Sequence, residues 1–192
     1  MRKGIHLAMH NCSKSKNLAL PLCLMAGAGA FLLWRSLKVK VPEDIQVVQN
    51  FDIHLYAGKW YEIARFDFRH EKHLSHVTAD YSLNPDGSVR VVNTGFDYIK
   101  KVWKTSEGVA TFVGSKTEGA LKVSFFRPFY SGYNVALMDP DYENALIFGE
   151  NKKYIWFLSR NKTMPQEIRQ RFMDTAQQAG YDLDRLVWTD QR

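Results

Sequence analysis

His70, His73 and His76 recur at three-residue spacing with Glu71 among them, the densest cluster of side chains capable of chemistry in the chain. Imidazoles so spaced can share a metal ion. FRHEKHLSH is short and polar, however, and does not read as a regular helix, so a solvated loop accounts for it and no metal is expected. Such a loop would gain charge on mild acidification, because the ordinary imidazole pKa is about 6.5. Asp139-Pro140-Asp141 offers two carboxylates, and Glu107 and Glu118 each precede a glycine, but tight turns explain all four. There is no nucleophile elbow, phosphate loop or paired His–Cys arrangement. Both cysteines, Cys12 and Cys23, precede the patterned part of the chain, so neither a disulfide nor a Cys-rich zinc site can staple it. Catalysis and cofactor chemistry are not expected.

What remains is aromatic. Phe112, Phe125, Phe126, Phe129, Tyr130, Tyr133, Tyr154 and Trp156 fall on alternating apolar segments or at their ends. A small apolar molecule binds by burial, so a pocket for one needs apolar walls more than placed polar groups. Phe112, Phe125, Phe126, Tyr133, Tyr154 and Trp156 are the candidate ligand contacts, with core or outer-face packing the competing role for each. Lys100, Lys101 and Arg127 stand at segment ends, where they could meet an anionic group. Glu62 and Ala64 share strand parity with Trp60, and a carboxylate turned inward at Glu62 must find a donor or take up a proton.

The elements that would position these residues are short strands. Eight are predicted, at about 59–66, 77–83, 88–96, 102–113, 119–126, 132–139, 143–149 and 153–160. Asn84-Pro85-Asp86-Gly87 is a strong reverse turn, and Ser131-Gly132 and Glu150-Asn151-Lys152-Lys153 mark further corners. Val77, Ala79, Tyr81 and Leu83 alternate with Thr78, Asp80 and Ser82, so one face is apolar and the other wet. With no helices between strands the connections are antiparallel, giving a sandwich or a barrel. The alternation favours an eight-stranded up-and-down barrel, whose diameter can hold one small ligand. A single helix follows, with Thr163 and Gln166 as a capping box, Pro165 in its first turn, an Ile168–Phe172–Ala176–Ala179 stripe and Gly180 at its end. A final strand, Leu183 to Trp188, adds back to the sheet.

The net charge of +6 is not spread evenly. Of the 26 bases, seven (Arg2, Lys3, Lys14, Lys16, Arg35, Lys38 and Lys40) lie in residues 1–40, which hold no acid; 19 remain against 20 acids. A nucleic-acid partner is therefore not expected, since the folded part carries no excess of positive charge. The bases flank the uncharged run Asn17–Trp34, which is long for a signal h-region and short for a spanning helix. Residues 1–40 thus read as a cleaved signal or a retained membrane anchor, 41–50 as a linker and 51–190 as the folded domain. The sequons at Asn11 and Asn161 are short enough to arise by chance.

Three motifs, in order and in register with the strand pattern, resemble the signatures of the lipocalins. GKWYEIARFD (58–67) resembles the first, with Gly58 and Trp60. DPDYENA (139–145) resembles the second, with Asp139 and Tyr142. Arg160, closing IWFLSR, stands where the third places an arginine. The similarity spans about residues 50–190 and is strongest to bacterial outer-membrane lipocalins, especially at VSFFRPFYSGYNV (123–135). It implies an all-β barrel with a C-terminal helix and an N-terminal membrane segment. It also implies binding, storage or transport of a fatty acid or lysophospholipid in support of a membrane, with the barrel on the periplasmic side of the cell envelope. Trp60 would plug the narrow end and Arg160 stack on it. Cys23 follows Leu20-Pro21-Leu22, which departs from the small residue expected before a lipidated cysteine. A homodimer is compatible with the sequence but not demanded by it. The competing function classes are a membrane-tethered protein-interaction module, which needs an exposed apolar patch and no cavity, and a binder of another small hydrophobic molecule.

Overall fold

Alternating segments become strands because one face of each can be buried while the other stays wet. The computed structural model describes residues 39–68 and 71–192, so the expectations for segment 1–38 and for His70 lie outside the described residues. A short helix α1 (Ile53–Tyr56) leads into β1 (Gly58–Phe66), β2 (Leu74–Leu83), β3 (Val89–Asp97), β4 (Val102–Phe112), β5 (Ala120–Phe126), β6 (Phe129–Met138), β7 (Asn144–Gly149) and β8 (Ile155–Ser159). Helix α2 (Gln166–Gln178), a 3-10 turn (Leu183–Arg185) and β9 (Leu186–Trp188) follow. Each of β1 to β7 pairs antiparallel with the next, and β8 pairs with β1, closing the barrel. Among the described residues no helix is long and apolar enough to cross a membrane.

Two apolar clusters sit on opposite sides of the barrel wall. The inner one gathers Tyr56, Trp60, Ala79, Tyr81, Val89, Val91, Ala110, Leu121, Val135, Ile147 and Leu158. The outer one joins Ile63, Phe66, Leu146, Phe148, Ile155 and Phe157 to Phe172 and Ala176 of α2. β7 is buried along its whole length because both of its faces are covered. Segment 41–50 lies against the domain: Ile45 is buried in the outer cluster, and Val48 N donates to Val135 O at 2.9 Å.

The helix start differs from the expected capping box. α2 begins at Gln166 with Pro165 at its cap position and no side-chain cap bond, so Thr163 does not cap it. A residue before proline is pushed out of the helical region, which keeps Met164 extended, and its side chain is buried in the outer cluster instead. The C-terminal segment also does more than add a strand. β1 pairs with β2 only from Gly58 to Tyr61; above that β9 takes the edge of β1 at Ala64 to Phe66. There the Gln191 amide donates to Glu62 O (2.8 Å) and Val77 O (2.7 Å), bridging the gap between the two strands.

The narrow end is closed by the signature residues. Trp60 is fully buried, and its indole N–H donates to Tyr56 O at 2.9 Å. The Arg160 guanidinium lies 4.0 Å from the Trp60 ring centroid. It donates to the carbonyls of Leu55, Tyr56, Ala57, Lys59 and Tyr142 at 2.8–3.2 Å. With its donors engaged there, Arg160 is a clamp on the chain entering the barrel. Gly58 takes φ +94, a conformation other residues reach only with strain. Asp139 accepts from the Glu143 and Asn144 backbones and the Asn144 side chain, and the Tyr142 hydroxyl accepts from Asp52 N at 2.9 Å.

Trp60→Ala is expected to cost about 3–5 kcal/mol, because it removes a fully buried ring and opens a cavity. Arg160→Lys is expected to cost about 1–3 kcal/mol, since an ammonium cannot serve five carbonyls or stack on the indole. Urea unfolding measures both; coincident midpoints for wild type and Trp60→Ala would remove the plug.

Candidate functional site

Three layers succeed one another along the lumen. The deepest polar layer is a chain of tyrosine hydroxyls: Tyr56 to Tyr133 at 2.5 Å, and Tyr133 to Tyr81 at 2.8 Å. Tyr81 stands opposite Gly58 in the closing ladder, and the Tyr56 ring lies 4.9 Å from that of Trp60, so the layer sits just above the floor. Burial raises the pKa of all three phenols, keeping them protonated.

The middle layer is ionic and comes from the upper half of β1. Glu62 accepts from Arg65 at 2.5 Å and from the Thr189 hydroxyl at 2.6 Å, which supplies the donors its parity demanded. Arg65 also pairs with Asp67 at 3.0 Å and approaches Glu71 at 3.8 Å. A bulge between Glu62 and Ala64 shifts the register, turning Ala64 into the outer cluster rather than inward. Glu71 lies in the β1–β2 loop, and its carboxylate accepts from Trp156 Nε1 at 3.1 Å. Burial, reinforced by the nearby Glu62 charge, pushes its pKa up to about 8.

The third layer is the mouth. Tyr154 and Trp156 stack at 6.1 Å between centroids, and Phe68 stands edge-on to both at 5.5 and 6.1 Å. The β1–β2 loop thus roofs this side of the opening. Gly149 admits the Tyr154 side chain; a Cβ there would come within 2.4 Å of Tyr154 Cβ.

The six expected ligand contacts fall into two groups. Phe112, Tyr133 and Trp156 pack against the inner cluster, and Tyr154 stacks on Trp156; all four keep partial exposure. Phe112 sits near the floor, its ring 6.3 Å from Phe51. Phe125 and Phe126 are instead 43% and 75% exposed at the tip of the β5–β6 hairpin. Phe126 stacks there on Phe129, itself 52% exposed, at 6.3 Å. The reason is length: β5 pairs with β4 only up to Ser124, so its last residues rise onto the lip of the mouth. Lys100, Lys101 and Arg127 are exposed on the β3–β4 and β5–β6 connections at this same end. Tyr130 lies under the Lys122 ammonium, 4.9 Å from its ring centroid. His73 meets the Tyr98 hydroxyl at 3.3 Å, whereas His76 bonds Ser75 and the Arg192 carbonyl. No group of three metal-capable side chains occurs among the described residues. Two surface clefts, one along Pro165–Gln170 and one at Lys162, Thr163 and Trp188–Arg192, contain none of the lumen residues.

Sequence reasoning did not find Tyr56, Arg65, Phe68 or Glu71. Tyr81 was legible as inward from alternation alone. Glu71 looked like part of a polar loop, and nothing local signals that the loop folds over the lumen.

A lipocalin-like domain is matched over residues 51–191. The outer membrane lipoprotein Blc of Escherichia coli K12 is 45% identical over 172 residues, covering 90% of this chain and 97% of that protein. Its namesake from Vibrio cholerae is 42% identical over 153 residues, covering 79% and 90%. Among solved structures, the cockroach allergen Per a 4 superposes with a TM-score of 0.62 at 18% identity over 80% of this chain and 96% of that one, a likeness of fold alone. The matched span takes in the barrel, the Trp60–Arg160 clamp and the helix, and the chain belongs to the lipocalin-like family.

Proposed function

We propose that the barrel binds a small hydrophobic ligand, a fatty acid or lysophospholipid, inside its lumen, and that the N-terminal segment holds it at an envelope membrane with the barrel on the periplasmic side. One observation carries the reading. Val123, Tyr133 and Trp156 pack against the inner cluster of a closed sheet yet keep accessible surface, so there is room beside them inside the wall. Apolar walls suit an acyl chain, gaining about 0.8 kcal/mol for each CH₂ withdrawn from water. Tyr133, Tyr154 and Trp156 would flank the chain, Phe112 would meet its far end, and Phe125 and Phe126 would meet it at the entrance. Lys100, Lys101 and Arg127 would face a phosphate or carboxylate head left at the rim. The relatives named as outer membrane lipoproteins support the envelope location. Binding rather than catalysis fits the site, since its buried carboxylates are held by Arg65, Thr189 and Trp156.

A lysophospholipid titration followed by calorimetry tests the assignment. Trp156→Ala is expected to weaken binding about tenfold, equivalent to ~1.4 kcal/mol. Unchanged affinity would take Trp156 out of the pocket, and no binding by the wild type would end the reading.

The roof gives a second expectation. Glu71 holds a proton in the folded protein up to about pH 8, whereas the unfolded chain releases it near the ordinary glutamate value. The folded state therefore binds more protons between these limits, and its stability falls as pH rises through that window. Melting temperatures at pH 5.5, 7 and 8.5 should decline more steeply for wild type than for Glu71→Gln. Parallel profiles would show that Glu71 ionises normally.

A further inference from the structure

We infer that the deep tyrosine layer, with Asn93, is a specificity site for a neutral hydroxyl carried near the far end of a bound acyl chain. The inference rests on the lipid-binding reading above and names the class of lipid.

Proton counting comes first. Tyr56, Tyr133 and Tyr81 form two hydrogen bonds in series. Three phenols bring three protons and these two bonds consume two; when Tyr56 donates to Tyr133 and Tyr133 donates to Tyr81, the Tyr81 proton is the one they leave over. The phenols stay protonated because burial opposes their ionisation. Asn93 supplies the converse. Its Oδ1 is buried and has no hydrogen-bond partner. Asn93 stands opposite Ala79, while Tyr81 stands opposite Val91, so the two are diagonal neighbours across the β2–β3 ladder. Alternation puts Asn93 on the same face of β3 as the inward Val89 and Val91. With the spare proton on Tyr81, a donor and an orphan acceptor are carried by residues one ladder step apart on the lumen side. A hydroxyl satisfies both at once, accepting from the phenol and donating to the amide oxygen.

Depth decides which part of the ligand arrives there. Ala79 pairs with Trp60, which places Asn93 at the level of the floor plug. Charge decides which end points inward. Arg160, beneath the floor, is committed to five carbonyls, and Arg65, higher up, is engaged by Glu62, Asp67 and Glu71. Among the described residues no unengaged cation faces the lumen at the tyrosine layer, so an anionic head would be desolvated there without a partner. Exposed Lys100, Lys101 and Arg127 sit at the mouth instead. The head stays at the rim, and the tail reaches the tyrosines. A plain hydrocarbon end would cover a phenolic proton and an amide oxygen without pairing either, and sites built to bond a hydroxyl discriminate against the analogue lacking it.

The test compares hexadecanoate with 16-hydroxyhexadecanoate, which share head and length. Each is titrated at pH 7.5 into the full chain held in a fluorinated surfactant, whose tails mix poorly with alkyl chains. The wild type should bind the hydroxylated acid tighter by roughly threefold to tenfold, as expected for one or two net hydrogen bonds. Tyr81→Phe and Asn93→Leu should each erode that preference while leaving hexadecanoate within about twofold of wild type. Equal or weaker binding of the hydroxylated acid by wild type would overturn the inference. So would variants that weaken both acids alike, because that is the signature of lost packing. In either case measurable hexadecanoate binding leaves the lipid-binding reading standing; failure to bind either acid removes both.

Discussion

Closure of the sheet depends on four residue pairs, Gly58 with Tyr81 through Tyr61 with Thr78, and on the clamp beneath them. Without those pairs β1 and β2 would be open edges, and the inner cluster would face water. The clamp is a stack of parts that each need the others. Trp60 fills the floor, Arg160 covers its ring, and five carbonyls from α1, β1 and the β6–β7 turn hold the guanidinium. A single cation therefore ties together segments about a hundred residues apart in the chain. The motifs that mark the family concentrate at this end because closure is decided here.

The opposite half of the same seam is built differently. Once β1 leaves β2, the gap is spanned by side chains from the C-terminal segment rather than by a ladder. Gln191 bridges the two strands, and Thr189 joins the Glu62–Arg65 pair. The seam is laddered and clamped at the floor and sewn with side-chain bonds near the mouth, where a ligand would pass. Such an arrangement puts the buried charges where their partners come from three different segments. It explains how Glu62, Glu71 and the terminal nitrogens of Arg65 find partners on distant segments, while Arg65 Nε is left without a hydrogen bond.

Inside the wall, polarity is graded. Among the described residues, phenols without net charge lie deepest, a compensated ionic group lies above them, and the exposed cations Lys100, Lys101 and Arg127 stand at the rim. A lumen of this kind accepts a long apolar chain along its aromatic sides while confining charge to the entrance. The exposed Phe125, Phe126 and Phe129 extend the apolar surface outward past the last β4–β5 pair, so the entrance is greasier than the rim charges alone suggest.

Strand count, order, the reverse turn at 84–87, the helical stripe and the inward parity of Trp60, Tyr81 and Trp156 were all legible in the sequence, because period-two and period-3.6 burial write themselves locally. The floor was legible for a different reason: Gly58, Trp60, Asp139, Tyr142 and Arg160 stand in motifs that resemble the lipocalin signatures, and the plug and its stacked arginine were what that resemblance implied. The capping box at Thr163 was a misreading, reversed by the proline that follows Met164. What only the tertiary structure decided is the content of the lumen. Bulges at Glu62/Ala64 and Val123/Phe126 shift the register at positions no alternation count reveals; the first moves Ala64 outward, and the second precedes the exposed Phe126–Phe129 pair on the lip. The joining of Glu71 to Trp156, and of Tyr56 to Tyr133, depends on a loop and a short helix that come to the lumen across 85 and 77 residues of chain. Local propensity carries no record of such separations; they are fixed only when the sheet closes and each buried polar group must find a partner.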